Sequence, residues 1–122
     1  MKLWVVALGL LLASAGVQAK PAVWQPADGH TQVPIWPGAA PALQPVPGPE
    51  TATVSDKLLA GKPVTAVTNV TRPTMTVYAP TGKNTRAAVV VIPGGGFEIL
   101  AIDLEGTEAC DWLTSNGITC VC

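Results

Sequence analysis

The chain has 122 residues, seven basic and eight acidic side chains, and a formal net charge of −1 at pH 7. This balance provides no electrostatic attraction for nucleic acid or for an anionic membrane surface, so neither is expected as a partner. Most of the twelve prolines lie in the first half of the chain. The second half is therefore the part that is expected to form a packed core.

Residues 1–19 have the pattern of a signal peptide. Lys2 provides a positive charge, an apolar stretch follows over 3–12, and Val17 and Ala19 are small or apolar side chains suited to a cleavage site after residue 19. A membrane-spanning helix needs about twenty apolar residues, so a retained membrane anchor is the less favoured alternative. We therefore predict a secreted or periplasmic protein that has no membrane partner once the signal peptide is removed.

Residues 20–63 are expected to form a proline-rich arm. Eight prolines lie between 20 and 50, a density that excludes a helix or a central strand. Trp24 and Trp36 lie among these prolines, which favours an extended arm that packs on the body of the protein. A flexible tether or a proline-rich ligand is the alternative.

The remaining residues show two strands joined by a turn, followed by a loop, a helix and a third strand. Thr74–Tyr78 alternates polar and apolar side chains, as in a half-buried strand, and 87–92 is a continuous apolar run typical of a strand buried on both faces. A short turn between them predicts a hairpin. A helix follows, with Asp103 as N-cap and Gly117 as the residue after its C-cap. A second buried strand at 118–122 completes a βαβ unit, which predicts a parallel sheet with a right-handed crossover.

The helix is expected to pack on the sheet through one apolar stripe. Ala109, Trp112 and Leu113 have the spacing of three and four residues that places side chains on the same helix face.

Three consecutive glycines, Gly94, Gly95 and Gly96, follow the second of these strands. Because glycine has no Cβ and accepts positive φ, successive N–H groups in such a loop can converge on one negatively charged atom. Phosphate binding and stabilisation of a tetrahedral oxyanion both use this arrangement. A dinucleotide-binding loop requires a third glycine where Ile99 stands, and the lysine motif of a P-loop is absent. An oxyanion is the favoured ligand, and a tight turn without a ligand is the alternative.

The segment 88–97, Ala-Val-Val-Val-Ile-Pro-Gly-Gly-Gly-Phe, resembles the third-strand-to-first-helix segment of α/β-hydrolase esterases. With its neighbouring motifs, the chain is most similar to an exported bacterial branch described as acetyl-xylan-esterase-like or prolyl-oligopeptidase-like hydrolases. The resemblance covers essentially the whole chain after the signal peptide and implies the N-terminal fragment of a larger enzyme. The neighbouring motifs lie at 35–41, 70–78, 103–106, 111–113 and 117–118.

The resemblance implies an α/β fold with the mostly parallel sheet of the α/β-hydrolase type. Only the first strands and the first helix of that fold would be present, and residues 64–122 would form an incomplete domain. The backbone N–H groups of Gly95 and Gly96 would hold the oxyanion. Gly94 would provide the turn, and Phe97 would form a wall of the substrate pocket. Pro93 stands where the lipase-type loop has histidine.

The sequence is compatible with two alternative roles for Glu105. Its side chain either orients the glycine loop or caps the helix N-terminus, and capping is the favoured one.

The nucleophile and the acid/base residues that the resemblance requires are expected outside this chain. The G-x-S-x-G elbow is absent, since neither Ser55 nor Ser115 has the flanking glycines. His30 precedes both serines, which reverses the chain order of the family. The fragment is therefore expected to be inactive alone.

The predicted function is that of a secreted serine hydrolase of carboxylic esters, with acetylated polysaccharide as a candidate substrate. No cofactor and no metal are expected, and the expected partner is a small-molecule or polysaccharide ester. Peptide hydrolysis of the prolyl-oligopeptidase type is the alternative on the same fold. A small secreted carbohydrate-binding module is the alternative from another class, with Trp24 and Trp36 as its stacking residues.

Three cysteines, Cys110, Cys120 and Cys122, form an odd set for an exported protein. We interpret all three as small buried hydrophobic residues. A bridge from Cys110 to a part of the protein outside this chain is the alternative. Cys120 and Cys122 face the same side of a strand and are not expected to bridge each other.

Overall fold

The computed structural model of the protein describes residues 22–122, so the predicted signal peptide at 1–19 lies outside the described residues. Within 22–122, no helix is both long and apolar enough to cross a membrane. The elements in chain order are β1 (Gln32–Pro34), β2 (Thr51–Val54), β3 (Thr65–Thr68), β4 (Thr74–Tyr78), β5 (Ala88–Val90), β6 (Leu100–Ala101), a π-helical turn (Asp103–Thr107), α1 (Glu108–Ser115) and β7 (Thr119–Val121).

The first sheet contains four strands in the order β1, β4, β7 and β5. Strand β4 pairs antiparallel with β1 on one side and with β7 on the other, where Val77 lies opposite Val121. Strand β5 pairs parallel with β7, with Val89 opposite Cys120. Strand β7 therefore holds an interior position between two strands that precede it in the chain.

The second sheet contains β2, β3 and β6 in that order, and both of its pairings are antiparallel. Threonines and small apolar residues supply its strands, in keeping with the preference of β-branched side chains for strands. Thr51 and Thr68 lie opposite each other and share a hydrogen bond of 2.9 Å between their hydroxyl oxygens. Val67 and Ala101 are buried, which places the inner face of this sheet in the protein interior.

The proline-rich arm contributes one edge strand to each sheet. Strand β1 pairs with β4, and β2 pairs with β3. An isolated bridge between Ala22 and Ala52 attaches the start of the described chain to β2. Both arm strands lie at sheet edges, which is the position that tolerates neighbouring prolines.

The predicted fold class, a mostly parallel sheet of the α/β-hydrolase type, is wrong. The described chain is a small domain rich in β-structure, with two mostly antiparallel sheets and one short helix. The strand–loop–helix–strand order does produce a parallel pair, β5 with β7. The sequence pattern of this strand–loop–helix–strand unit did not specify which strands pair beside it. Strand β4 pairs antiparallel with β7, and β1 pairs antiparallel with β4.

The predicted hairpin between 74–78 and 87–92 is also wrong, because β7 lies between β4 and β5. The connection before β5 is held by the start of β7. The backbone N–H and the hydroxyl of Thr85 both donate to the carbonyl oxygen of Gly117, each at a distance of 2.8 Å. These bonds direct β5 along β7 instead of back along β4. As an edge strand β5 is exposed, and Val90 retains 70% of its accessible surface, contrary to the predicted burial on both faces.

Helix α1 packs on the first sheet through a face that matches the expected one only in part. Cys110 and Leu113 are buried together with Tyr78 and Cys120, whereas Trp112 is 65% exposed. The predicted stripe is therefore wrong at Trp112 but confirmed at Leu113, and the helix buries Cys110 in addition.

The C-terminus of α1 ends as predicted, at a glycine in the left-handed region. Gly117 has φ +76°, its N–H donates to the carbonyl of Thr114, and the N–H of Ile118 donates to the carbonyl of Leu113. This pair of hydrogen bonds is the Schellman arrangement. An added Cβ at Gly117 would lie within 2.5 Å of the Lys83 carbonyl oxygen, so glycine is also required sterically.

A disulfide bond joins Cys110 of α1 to Cys120 of β7, with 5.2 Å between the Cα atoms. The interpretation of all three cysteines as free hydrophobic residues is therefore wrong for this pair. The spacing along the chain did not reveal the bond, because it depends on how the helix packs on the sheet. Cys122 is free, and burial raises the pKa of its thiol above the ordinary value.

Replacing both Cys110 and Cys120 by alanine should lower the free energy of unfolding by about 2–4 kcal/mol, since the crosslink restricts the unfolded chain. Urea unfolding monitored by circular dichroism measures the change. The Cys122→Ala variant is the control, and it should retain the bond. Equal unfolding midpoints for parent and double variant, under non-reducing conditions, would contradict the assignment.

Candidate functional site

The glycine loop runs from Pro93 to Phe97, between the end of β5 and β6. Gly95, Gly96 and Phe97 have φ values of +149°, +66° and +63°. Three consecutive residues at positive φ reverse the chain tightly, which is a conformation that glycine adopts at little cost. Phe97 is not a glycine, and a bulky residue at positive φ marks a locally constrained backbone.

The first glycine is held by a carboxylate from the π-helical turn. The N–H of Gly94 donates to Oε2 of Glu105 at a distance of 2.9 Å. The carbonyl of Gly94 accepts from the N–H of Ala101, also at 2.9 Å. Of the two roles considered for Glu105, the structure shows loop orientation and not helix capping. The wide turn, in which the N–H of Thr107 donates to the carbonyl of Ile102, places Glu105 opposite the loop instead of at the start of α1.

The next two N–H groups remain available. The loop closes through the carbonyl of Gly95, which accepts from the N–H groups of Glu98 and Ile99 at 3.3 Å. Within residues 22–122, the N–H groups of Gly95 and Gly96 donate to no other group. Gly96 is also exposed. Adjacent backbone donors without a partner in a tight turn are the groups with which a loop can bind an anion.

The space around these glycines differs. An added Cβ at Gly95 would collide with the backbone and side chain of Ile99, and one at Gly94 would meet Oε2 of Glu105 at 2.5 Å. No atom lies within 4 Å of a Cβ added at Gly96. The open side of the loop is therefore at Gly96.

Phe97, the predicted pocket wall, projects fully into solvent. Its side chain borders an open cleft of 380 Å³ that also contacts Val46 and the end of β3. The remaining lining of this cleft comes from Asn69, Val70, Glu98, Ile99 and Leu100.

A second carboxylate fixes the π-helical turn to the second sheet. Asp103 accepts hydrogen bonds from the N–H groups of Thr65 and Leu104, each at 2.8 Å. Asp103 was predicted as the N-cap of the helix, but α1 begins at residue 108 and its N-terminus has no side-chain cap. Partial burial acts to raise the pKa of Asp103, but the hydrogen bonds from Thr65 and Leu104 outweigh it, so the pKa lies below its ordinary value.

The described serines and the histidine do not form a catalytic group. Ser55 Oγ accepts from the N–H of Lys57 in a local turn, and Ser115 Oγ donates to the carbonyl of Trp112. The ring of His30 packs against the ring of Tyr78 at an interplanar angle of 44°, with 4.5 Å between centroids. Within the described range, no hydrogen bond joins His30 to either serine.

The two tryptophans of the arm lie in different environments. Trp24 lines a cavity between the two sheets, whereas Trp36 is exposed on the arm. Glu50 and Arg72 also line the cavity, and the sequence did not single them out. No local motif marks them, because the cavity forms only where the arm and both sheets meet.

Comparison of the chain with protein-family models, with curated protein sequences and with solved structures gives no match. The resemblance to exported hydrolases therefore stays a prediction that depends on the quoted motifs.

The Asp103→Asn variant should lower the free energy of unfolding by about 1–2 kcal/mol at pH 7, since charge-assisted hydrogen bonds to two backbone donors are weakened. The folded-state pKa of Asp103 is depressed, so its contribution is fully present above the unfolded value of about 3.9 and is lost as the pH falls through the folded value.

Urea unfolding between neutral pH and about pH 3 measures this effect. The difference between parent and variant should shrink as the pH falls below the unfolded value. Asp56→Asn, at an exposed aspartate, is the control and should unfold like the parent. A difference for Asp103→Asn that is independent of pH would show that the charge of this carboxylate is irrelevant.

Proposed function

We propose that this chain provides the oxyanion-binding loop of a secreted serine hydrolase that cleaves carboxylic esters, with acetylated polysaccharide as a candidate substrate. The observation that carries the proposal is the pair of free, adjacent N–H groups at Gly95 and Gly96. The proposal depends on this loop and on the motifs around it, and not on the overall fold.

The loop would act on the charge that develops during acyl transfer. A serine from outside this chain attacks the ester carbonyl, and its proton passes to a base that is also outside the chain. The carbonyl oxygen becomes an oxyanion, which accepts hydrogen bonds from Gly95 and Gly96. The loss of one such donor typically raises the barrier by about 2.7–4 kcal/mol.

Glu105 supports this role by positioning the loop. Its carboxylate engages the N–H of Gly94, so that donor is not available to a ligand. A negative charge next to the loop would repel an anion at Gly94. The binding position is therefore displaced toward Gly96, where the loop is open.

The proposed location outside the cytoplasm has a separate basis in the Cys110–Cys120 bond. Structural disulfides persist in oxidising compartments and are rare in the cytosol. Together with the signal-peptide pattern of residues 1–19, this bond favours a secreted or periplasmic protein.

Methylphosphonate, a stable tetrahedral oxyanion, tests the loop directly. In ¹⁵N-labelled protein the amide signals of Gly95 and Gly96 should shift and saturate on titration, while that of Gly94 should change little. Gly96→Ala should weaken binding by about five- to thirtyfold, because a side chain at this φ costs about 1–2 kcal/mol.

Gly82→Ala is the matched control, since an added Cβ there meets no atom within 4 Å and the residue has no positive φ. Binding to this variant should equal that of the parent. Shifts that fail to saturate, or equal binding by the Gly96→Ala variant, would remove the basis for an oxyanion site.

The chain alone should not hydrolyse p-nitrophenyl acetate above the rate in buffer, because no described serine lies in hydrogen-bond contact with a base. Release of p-nitrophenol followed by absorbance measures this. Turnover that is abolished by Ser55→Ala or Ser115→Ala would contradict the expectation that the nucleophile lies elsewhere.

A further inference from the structure

A partly enclosed cavity of 450 Å³ lies between the two sheets. Its volume is within the range of about 300–1,000 Å³ that is usual for small-molecule sites. The walls come from three parts of the chain, namely the arm and each of the sheets. Apolar residues of the lining include Trp24 and Ile35 of the arm, Val90 and Val121 of the first sheet, and Val67 and Leu100 of the second.

Two residues of opposite charge, Glu50 and Arg72, belong to this mainly apolar lining, which also includes the polar residues Gln32, Thr74 and Thr76. Arg72 is exposed and Glu50 is partly buried. Among the apolar lining residues, Val67 and Ile102 are buried, whereas Ile35 and Val90 are exposed. Burial raises the pKa of Glu50 above its ordinary value. Within 22–122 neither side chain takes part in an ion pair, since the pair found there joins Lys62 to Glu108.

This combination selects a particular kind of ligand. The apolar walls favour a hydrocarbon chain, because burial of apolar surface contributes about 25 cal/mol per Å². A guanidinium donates hydrogen bonds and a carboxylate accepts them. A head group with both a donor and an acceptor satisfies both, whereas a charged head group meets one attractive and one repulsive partner.

We propose that the cavity between the sheets binds a single-chain amphiphile with an uncharged, hydrogen-bonding head group, such as a fatty alcohol or fatty amide. The hydrocarbon chain lies against Val67, Leu100 and Val121. The head group lies between Glu50 and Arg72. The site is separate from the glycine loop, and binding to it does not depend on the proposed hydrolase function.

Isothermal titration calorimetry on the whole chain tests the proposal with three probes of equal chain length. Decanol should bind more tightly than decanoate and than decylammonium, all below their micelle-forming or solubility limits. Decanol should also raise the midpoint of thermal unfolding, because a ligand that binds the folded state stabilises it. Absence of saturable decanol binding would overturn the proposal.

Removing one charge at a time should change the preference in opposite directions. Glu50→Gln leaves Arg72 unopposed and should strengthen decanoate binding by about two- to fivefold, whereas Arg72→Gln should do the same for decylammonium. Arg86→Gln is the control, because this exposed arginine does not line the cavity. A nonspecific apolar surface would not show this reversal, so unchanged preferences in both variants would refute the role of the charged pair.

A larger side chain in the cavity lining provides an independent check on where decanol binds. Val90→Phe adds volume at a lining valine that is 70% exposed, and it should weaken decanol binding at least fivefold. Val54→Phe makes the same change at a valine that is 67% exposed and lies outside the lining. Circular dichroism establishes that both variants fold. If both variants bind decanol as the parent does, the ligand does not occupy this cavity.

Discussion

The interior position of β7 is the constraint on which the rest of the structure depends. This strand pairs parallel with β5 and antiparallel with β4, and its Cys120 is bonded covalently to Cys110 of α1. The helix therefore cannot leave the sheet without stretching a crosslink. Because β5 is aligned by β7, the loop that follows β5 emerges at a defined point beside the π-helical turn.

Two carboxylates then connect that turn to its surroundings. Asp103 accepts from the backbone of β3, and Glu105 accepts from Gly94. The first bond ties the turn to the second sheet, and the second ties the loop after β5 to the turn. Both use backbone donors that a regular strand or helix would have paired internally. The loop is thus positioned from both sheets, while its N–H groups at Gly95 and Gly96 remain free.

Local features were predicted more accurately than the sheets they belong to. The C-terminal glycine of α1, the glycine-rich turn and the parallel pairing of the strands around the helix follow from short-range spacing. The placement of β1 and β4 does not, because a strand's partner depends on contacts far along the chain. Trp112 has helix-stripe spacing but is exposed, since spacing defines a face without defining which face is buried. Glu50 and Arg72, the charged residues that line the cavity between the sheets, carried no sequence signal, because this cavity forms only where the arm and both sheets meet.

The sequence by itself determined that a loop of three glycines would follow an apolar strand and precede a helix, since backbone freedom at glycine is a local property. It also determined that the proline-rich arm would form no helix and no central strand. Only the tertiary structure decided that the sheets are mostly antiparallel, that Cys110 meets Cys120, and that Glu105 holds the loop instead of capping the helix. Each of these outcomes depends on the distance between groups that are separated along the chain, and that distance is set by packing.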